Sequence, residues 1–336
     1  MTARRQVEIP QRRFGATDLQ VPEFGLGCAR IGGIFKQDPS QFLRLLSFAL
    51  DSGINFFDTA DMYSQGESES LIGRAFRRRR NEVVIASKAG YVLPSQRRLM
   101  ARLKPIVRPI IGALKLSRHQ LPGAVRGALA QDFSPLHLRK SLEGSLLRLK
   151  TDYLDILQLH SPPIEVVEPA EWVGTLAAFK KEGKIRYFGV SCDAAEATLA
   201  ALKHPGLSSI QVPLNLLERA ALPALPIAKR LGVGVIVRES LANGLLIKDL
   251  SPEQIRGYCQ TEEEAAAKAE RLKAYRTTAA ENGSTVAQLA LQYVSSLDGV
   301  SVTLIGVSRL DQLESLLSTG LPYAVRDRLS ALPNLA

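Results

Sequence analysis

From residue 24 onward the chain alternates, eight times, a short apolar run with a longer stretch of helical period. The runs are Phe24–Cys28, Asn55–Asp58, Val83–Lys88, Tyr153–His160, Arg186–Ser191, Ser209–Leu214, Gly234–Arg238 and Val300–Gly306. Most are apolar throughout, as parallel strands covered on both faces require. The predicted helices are Pro39–Leu50, Ser68–Arg79, Leu136–Leu149, Ala170–Glu182, Ala194–Lys203, Leu222–Leu231, Ala265–Glu281 with Thr285–Ser296, and Leu310–Thr319. Gly53, Gly183 and Gly232 stand where a helix ends on a left-handed residue. No linker or compositional break divides the series, so residues 1–336 are expected to form one α/β domain, a closed TIM (β/α)8 barrel. An open doubly wound sheet would carry an early phosphate loop, and Gly25-Leu26-Gly27 lacks the G-x-G-x-x-G continuation. Ahead of the first barrel strand, Arg12–Phe14 and Leu19–Val21 flank Gly15-Ala16-Thr17-Asp18, which predicts a β-hairpin closing the opposite end.

Two insertions, about 91–133 and 241–264, follow the third and seventh strands, on the face where such barrels carry their chemistry. The formal net charge of +10 is uneven: ten Lys or Arg stand against Asp132 alone between Tyr91 and Lys140, preceded by Arg77–Arg80. A solvated basic face accounts for this. An anionic substrate, an acidic partner or a membrane surface are the sharper readings. A lid over the barrel mouth is the expected role of the first insertion, and Pro105 and Pro109 argue against one continuous amphipathic helix there. With only Tyr91 and Phe133 as aromatics, the segment offers bases little to stack on, so no nucleic-acid partner is expected. No apolar run is long enough to span a membrane, and the basic N-terminus lacks the apolar core of a signal peptide. Cys28, Cys192 and Cys259 form neither a disulfide framework nor a zinc set, which suits a reducing cytoplasm. His119, His137 and His204 have no metal-ligand spacing, and no metal site is expected. Trp172 on an outer helix reads as packing, and Glu262–Glu264 as a helix start.

Ionisable residues gather at strand ends. Asp58, Lys88 and His160 close the second, third and fourth strands, and Tyr63 lies in the loop after Asp58. In a barrel all four project from one rim. Hydride addition to a carbonyl leaves negative charge on oxygen, which must receive a proton, and a free tyrosine is a poor acid at neutral pH. An ammonium beside it stabilises the phenolate, and a carboxylate holds the ammonium. Tyr63 is thus the expected general acid (the base for oxidation), Lys88 its electrostatic partner and Asp58 the anchor, with neutral His160 orienting the substrate oxygen.

The stretch Asp51–Tyr63, the following Gly66–Gly73, Ser87-Lys88, Gln158-Leu159-His160 and Gly189-Val190-Ser191 closely resemble the aldo-keto reductase family, with likeness running from about Phe14 to Leu317. The resemblance implies a TIM barrel, a nicotinamide cofactor and the Asp58, Tyr63, Lys88, His160 tetrad. It also implies cofactor contacts. Ser191 and Gln211 match residues that hold the carboxamide, while Cys192 stands where Asn is usual. Arg238 replaces the common ring-stacking Tyr, a role a guanidinium plane also serves. Leu241 and Gly244 fall in the pyrophosphate-covering stretch, within reach of Arg30. Gly306, Ser308, Arg309 and Gln312 resemble the 2′-phosphate segment at a helix N-terminus. Ser315 and Leu316 replace the usual Glu-Asn pair near adenine.

The expected function is therefore NADP(H)-dependent reduction of aldehydes or ketones, or oxidation of the matching alcohol or sugar, with NAD(H) left open as cofactor. The alternative from another class is a cofactor-sensing regulatory subunit with little turnover.

Overall fold

The eight apolar runs become eight parallel strands of one closed barrel, as the periodicity predicts. The structure is a computed structural model that describes residues 9–32, 39–92, 130–248 and 250–318. An antiparallel hairpin, β1 (Gln11–Arg13) and β2 (Gln20–Pro22), precedes the barrel. The barrel strands are β3 (Phe24–Gly27), β4 (Phe56–Asp58), β5 (Val84–Ala89), β6 (Leu154–His160), β7 (Ile185–Ser191), β8 (Ser209–Pro213), β9 (Gly234–Arg238) and β10 (Val300–Ile305). Each pairs in parallel with its neighbours, and β10 closes the ring on β3 with Thr303 opposite Phe24.

Leaving aside two short helical turns at Ile164–Val167 and Pro252–Arg256, the helices of the described residues are α1 (Pro39–Asp51), α2 (Glu67–Phe76), α3 (Pro135–Leu149), α4 (Glu171–Lys181), α5 (Ala195–Ala201), α6 (Ala224–Leu231), α7 (Glu262–Glu281), α8 (Val286–Ser296) and α9 (Leu310–Ser318). In α1 the buried residues Phe42, Leu45, Leu46, Ala49 and Leu50 fall on one helical stripe. Local chemistry sets several ends. Ser134 caps α3 with Pro135 at its first turn, and Thr285 and Gln288 form a capping box on α8. Thr261 caps α7 at Glu262, and the three carboxylates expected at a helix start stand in its first turn. By contrast, α2 stops short of its expected end. Arg79 turns to Asp51 and Glu82, and Arg80 reaches the buried Asp155 at 2.8 Å. Half of the four-arginine run is thus structural.

The hairpin plugs the N-terminal end of the barrel. Phe14 is fully buried and stacks on Phe56 at 6.2 Å, within a core that includes Leu19, Val21, Ile236 and Val302. The close approach requires glycine at Gly234, where a Cβ would lie 2.3 Å from the Phe14 ring. Arg12 joins the seam by donating to the Val300 carbonyl at 3.1 Å while pairing with Glu23 at 2.7 Å. At the opposite end, most of the basic insertion (93–129) lies outside the described residues, with His119, Pro105 and Pro109. Its two ends meet as a bridge between Tyr91 and Gln131. From the second insertion, Leu245, Leu246 and Ile255 pack with Leu272, Tyr275 and Leu289 in a core of their own. No helix among the described residues is long and apolar enough to cross a membrane, and no group of three or more metal-ligating side chains gathers there.

Beneath the rim, α2 and α3 cross closely enough that a Cβ on Gly73 would sit 2.4 Å from the Leu149 carbonyl oxygen. A buried polar cluster joins them to the barrel: Ser87 Oγ donates to Glu69 Oε1 and Arg148 Nε to Glu69 Oε2, each at 2.6 Å. Asp61 completes the cluster, its backbone N–H on the Lys88 carbonyl and its Oδ1 buried without a partner. Burial, and then the Glu69 charge, push the Asp61 carboxyl up to about 7. The folded protein therefore holds a proton that the unfolded chain has released, and stability falls as pH rises from about 4 to about 7. Replacing Asp61 by Asn is expected to raise Tm by about 3 °C at pH 8, with the gain vanishing near pH 4. Thermal scans at the two pH values check this, and an equal effect at both would contradict it.

Candidate active site

Asp58 and His160 end β4 and β6, Lys88 is next to last in β5, and the register steps them along one rim: Asp58 lies opposite Ala86, two residues before Lys88, and Lys88 opposite Gln158, two before His160. Tyr63 reaches the rim from a tight turn in which Ser64 and Gln65 take left-handed φ of 51° and 57°, held by Ser64 Oγ donating to the Ile31 carbonyl at 2.8 Å. Lys88 Nζ lies 2.6 and 2.7 Å from the two Asp58 oxygens, 3.0 Å from the Thr59 carbonyl and 3.4 Å from the Tyr63 hydroxyl. Lys88 and Asp58 are both buried. Burial by itself favours the neutral amine, but Asp58 and Tyr63 more than reverse this and raise the Lys88 pKa. The next strands extend the row: His160 pairs in register with Ser191, and Ser191 with Gln211. Gln211 Nε2 donates to Asp58 Oδ1 at 2.7 Å, and its Oε1 accepts from Ser191 Oγ at 3.2 Å.

Tyr63 departs in one respect from the sequence expectation. The ammonium favours its phenolate as anticipated, yet burial outweighs that pull and leaves the phenol above its ordinary pKa. His160 meets Tyr63 edge-on, ring centroids 5.7 Å apart. Burial, then the Lys88 and Arg238 charges, hold its pKa well below the usual value, so the imidazole is neutral at neutral pH.

These groups face a cleft of about 250 Å³. Asp58, Tyr63 and His160 line it, together with Arg30, Ser191, Gln211, Arg238, Leu241, Gly244 and Gly306. Lys88 lies just beneath, behind Asp58 and Tyr63. Cys192 meets the site through its backbone, which accepts from Arg238 Nη2 at 3.2 Å, while its thiol is buried and pushed up to about 12 by burial. Ser308, Arg309 and Gln312 stand beyond the cleft at the start of α9. There Gln312 Oε1 accepts from the backbone N–H groups of Ser308 and Arg309, and the Arg309 guanidinium makes two 2.9 Å bonds to Asp311.

Sequence reasoning passed over the residues that hold Arg238. Its guanidinium is grasped between Asp193 and Glu239, and Asn243 Nδ2 donates to Glu239 Oε2 at 2.8 Å. Glu239, Ala242 and Asn243 all have left-handed backbones. Only the Ala242-Asn243-Gly244 turn chemistry hints at this in the sequence. A nicotinamide dinucleotide fits such a cleft on its donor set. Arg238 Nε is a buried donor without a partner, and Gly306 leaves open space where a side chain would stand.

The profile of the Aldo/keto reductase family matches residues 23–323. Among similar proteins, the uncharacterized oxidoreductase YqkF of Bacillus subtilis (strain 168) is 28% identical over 328 residues, covering 96% of this chain and 95% of the relative. The solved structure of the aldo-keto reductase AKR11C1 from Bacillus halodurans (holo form) superposes with a TM-score of 0.76 at 28% identity, covering 98% of each chain. That of the glycerol dehydrogenase AKR11B4 from Gluconobacter oxydans gives 0.70 at 25% identity over 97% of this chain and 94% of the other. With its barrel, its hairpin and a match across nearly its whole length, the chain belongs to the aldo/keto reductase family, oxidoreductases that work with nicotinamide cofactors.

Proposed function

We propose that the protein reduces aldehyde or ketone carbonyls, or oxidises the matching alcohols, with NADP(H), and that Tyr63 carries the proton. The observation that supports this most directly is Lys88 Nζ placed between the Asp58 carboxylate and the Tyr63 hydroxyl at the edge of the cleft. A bound nicotinamide would supply or accept the hydride. Ser191 and Gln211 would hold its carboxamide, Arg238 would lie against its ring, and Leu241, Gly244 and Arg30 would flank the diphosphate.

The chain's own groups handle the proton. Neutral His160 donates a hydrogen bond to the substrate oxygen and fixes it beside Tyr63. As charge builds on that oxygen, the Tyr63 hydroxyl releases its proton to it. An alkoxide is a stronger base than a phenolate, so the transfer runs downhill even from a phenol whose pKa burial has raised. Lys88 then stabilises the phenolate, and Asp58 keeps the ammonium within reach. In oxidation the same phenolate takes the proton from the alcohol.

At the adenosine end we place the 2′-phosphate on Ser308, Arg309 and Gln312. Arg309 and Asp311 are both solvent-exposed, and an exposed ion pair is weak enough for a phosphate dianion to displace. A screen of aldehydes, ketones and sugars with each cofactor, followed by nicotinamide absorbance, tests the function. Cofactor binding without turnover of any of them would favour the sensing role instead.

Tyr63→Phe should lower kcat by about a thousandfold while the Kd for NADPH stays within about twofold, measured by steady-state kinetics and fluorescence titration. Retained turnover would remove Tyr63 from the chemistry. Because Tyr63 keeps its proton and His160 stays neutral, kcat for reduction should hold level from about pH 7 to about pH 9. A rate that falls steadily across that range would mean another acid is at work. Arg309→Ala should weaken NADPH by about tenfold and leave NADH nearly unchanged. Equal losses would move the 2′-phosphate elsewhere.

A further inference from the structure

Something must hold the His160 ring, and it is not the usual hydrogen bond to the second imidazole nitrogen, because Nδ1 is buried without a partner. The ring is instead caught between two aromatic contacts. Tyr63 meets it at 5.7 Å and 83°, and Tyr91 meets it closer, at 4.8 Å and 86°. Tyr91 stands three residues past Lys88, where the long insertion leaves the barrel.

The backbone under His160 is held from the other end of the same insertion. Gln131 Nε2 spends both hydrogens on consecutive carbonyls, His160 at 3.1 Å and Ser161 at 2.8 Å. Ser161 needs that support, since its φ of 50° is left-handed and it is not glycine. Tyr91 and Gln131 are themselves bridge partners. Val92 N–H donates to the Ala130 carbonyl and Asp132 N–H to the Gly90 carbonyl, each at 2.8 Å. Gly90 lets the strands meet, for a Cβ there would strike the Phe133 ring at 2.2 Å. Ring and backbone of His160 are thus both contacted by one hydrogen-bonded two-stranded stub.

We infer that Tyr91 and Gln131 are positioning residues for His160: Gln131 fixes the turn that carries it, and Tyr91 fixes the plane of its ring. The kinetic consequence rests on the reductase reading above, in which His160 orients the substrate oxygen; the geometric claim does not. A ring displaced by a fraction of an ångström or a few degrees loses its hydrogen bond to that oxygen without any change in the cofactor's contacts.

The test uses the full chain with para-nitrobenzaldehyde and NADPH as probes, and nitrogen NMR of the imidazole ring. The four histidines of the chain allow His160 to be assigned by difference against His160→Gln. Gln131→Ala and Tyr91→Leu should each lower kcat about tenfold with the NADPH Kd within about twofold, and each should move the His160 nitrogen shifts. Tyr91→Phe retains the ring contact and should restore both. Gln131 is exposed, so its removal opens no cavity. Gln131→Glu, isosteric but facing two carbonyls with a carboxylate, should do at least as much harm as Ala. Unmoved His160 shifts in a folded Gln131→Ala or Tyr91→Leu protein overturn the proposal, whatever happens to turnover. Moved shifts in a protein that turns over no aldehyde uphold it and fault the reductase reading instead.

Discussion

A lysine and an aspartate with almost no exposure face each other inside the barrel mouth, and the rest of the site is built around keeping them there. Removing two such charges from water costs several kcal/mol per ion, and their mutual attraction offsets that cost only with good geometry and further hydrogen bonds. Asp58 receives both: Lys88 Nζ bridges its two oxygens, and Gln211 donates to one of them. Lys88 gains the Thr59 carbonyl and the Tyr63 hydroxyl in turn. An apolar pair of equal volume would be as stable or more so. On the proposed reductase reading these charges serve chemistry: Lys88 adds to the burial that keeps His160 neutral, and its ammonium lies 5.1 Å from the Tyr63 ring centroid.

Much of this could be read in the sequence, because it is written at short range. Strand ends place Asp58, Lys88 and His160 on one rim whatever the details of packing, and period and capping residues mark the helices to within a few positions. Arg79 with Arg80 moved the end of α2, through ion pairs that no periodicity displays. Direction of charge effects was legible too, but their balance was not. The ammonium beside Tyr63 is evident from spacing, whereas burial, which outweighs it, depends on the whole fold. Asp61 shows the same blindness: nothing in its local sequence announces that one of its carboxyl oxygens is buried without a partner while both oxygens of Asp58 meet Lys88.

What the sequence hides most completely is partnership across distance. Asp193 comes from the loop after β7 to hold Arg238, and Gln131 crosses from the far end of an insertion to the turn after β6. Residues of this kind look like ordinary surface polar groups until the loops are brought together.

The seam between β3 and β10 has a consequence for how the chain reaches this state. The first and last barrel strands pair across nearly the whole described sequence, and the hairpin residue Arg12 waits for the Val300 carbonyl while the Glu23 carbonyl waits for the Thr303 N–H. During synthesis, β3 leaves the ribosome first and its partner emerges last. For that interval one edge of an apolar parallel sheet stays open, its backbone groups available to any other strand. Ring closure is accordingly a late, non-local event that carries a large loop-entropy cost and favours slow folding. Chaperone dependence and aggregation on overexpression are the cellular forms this geometry would take, set by the seam and not by the residues at the opposite rim.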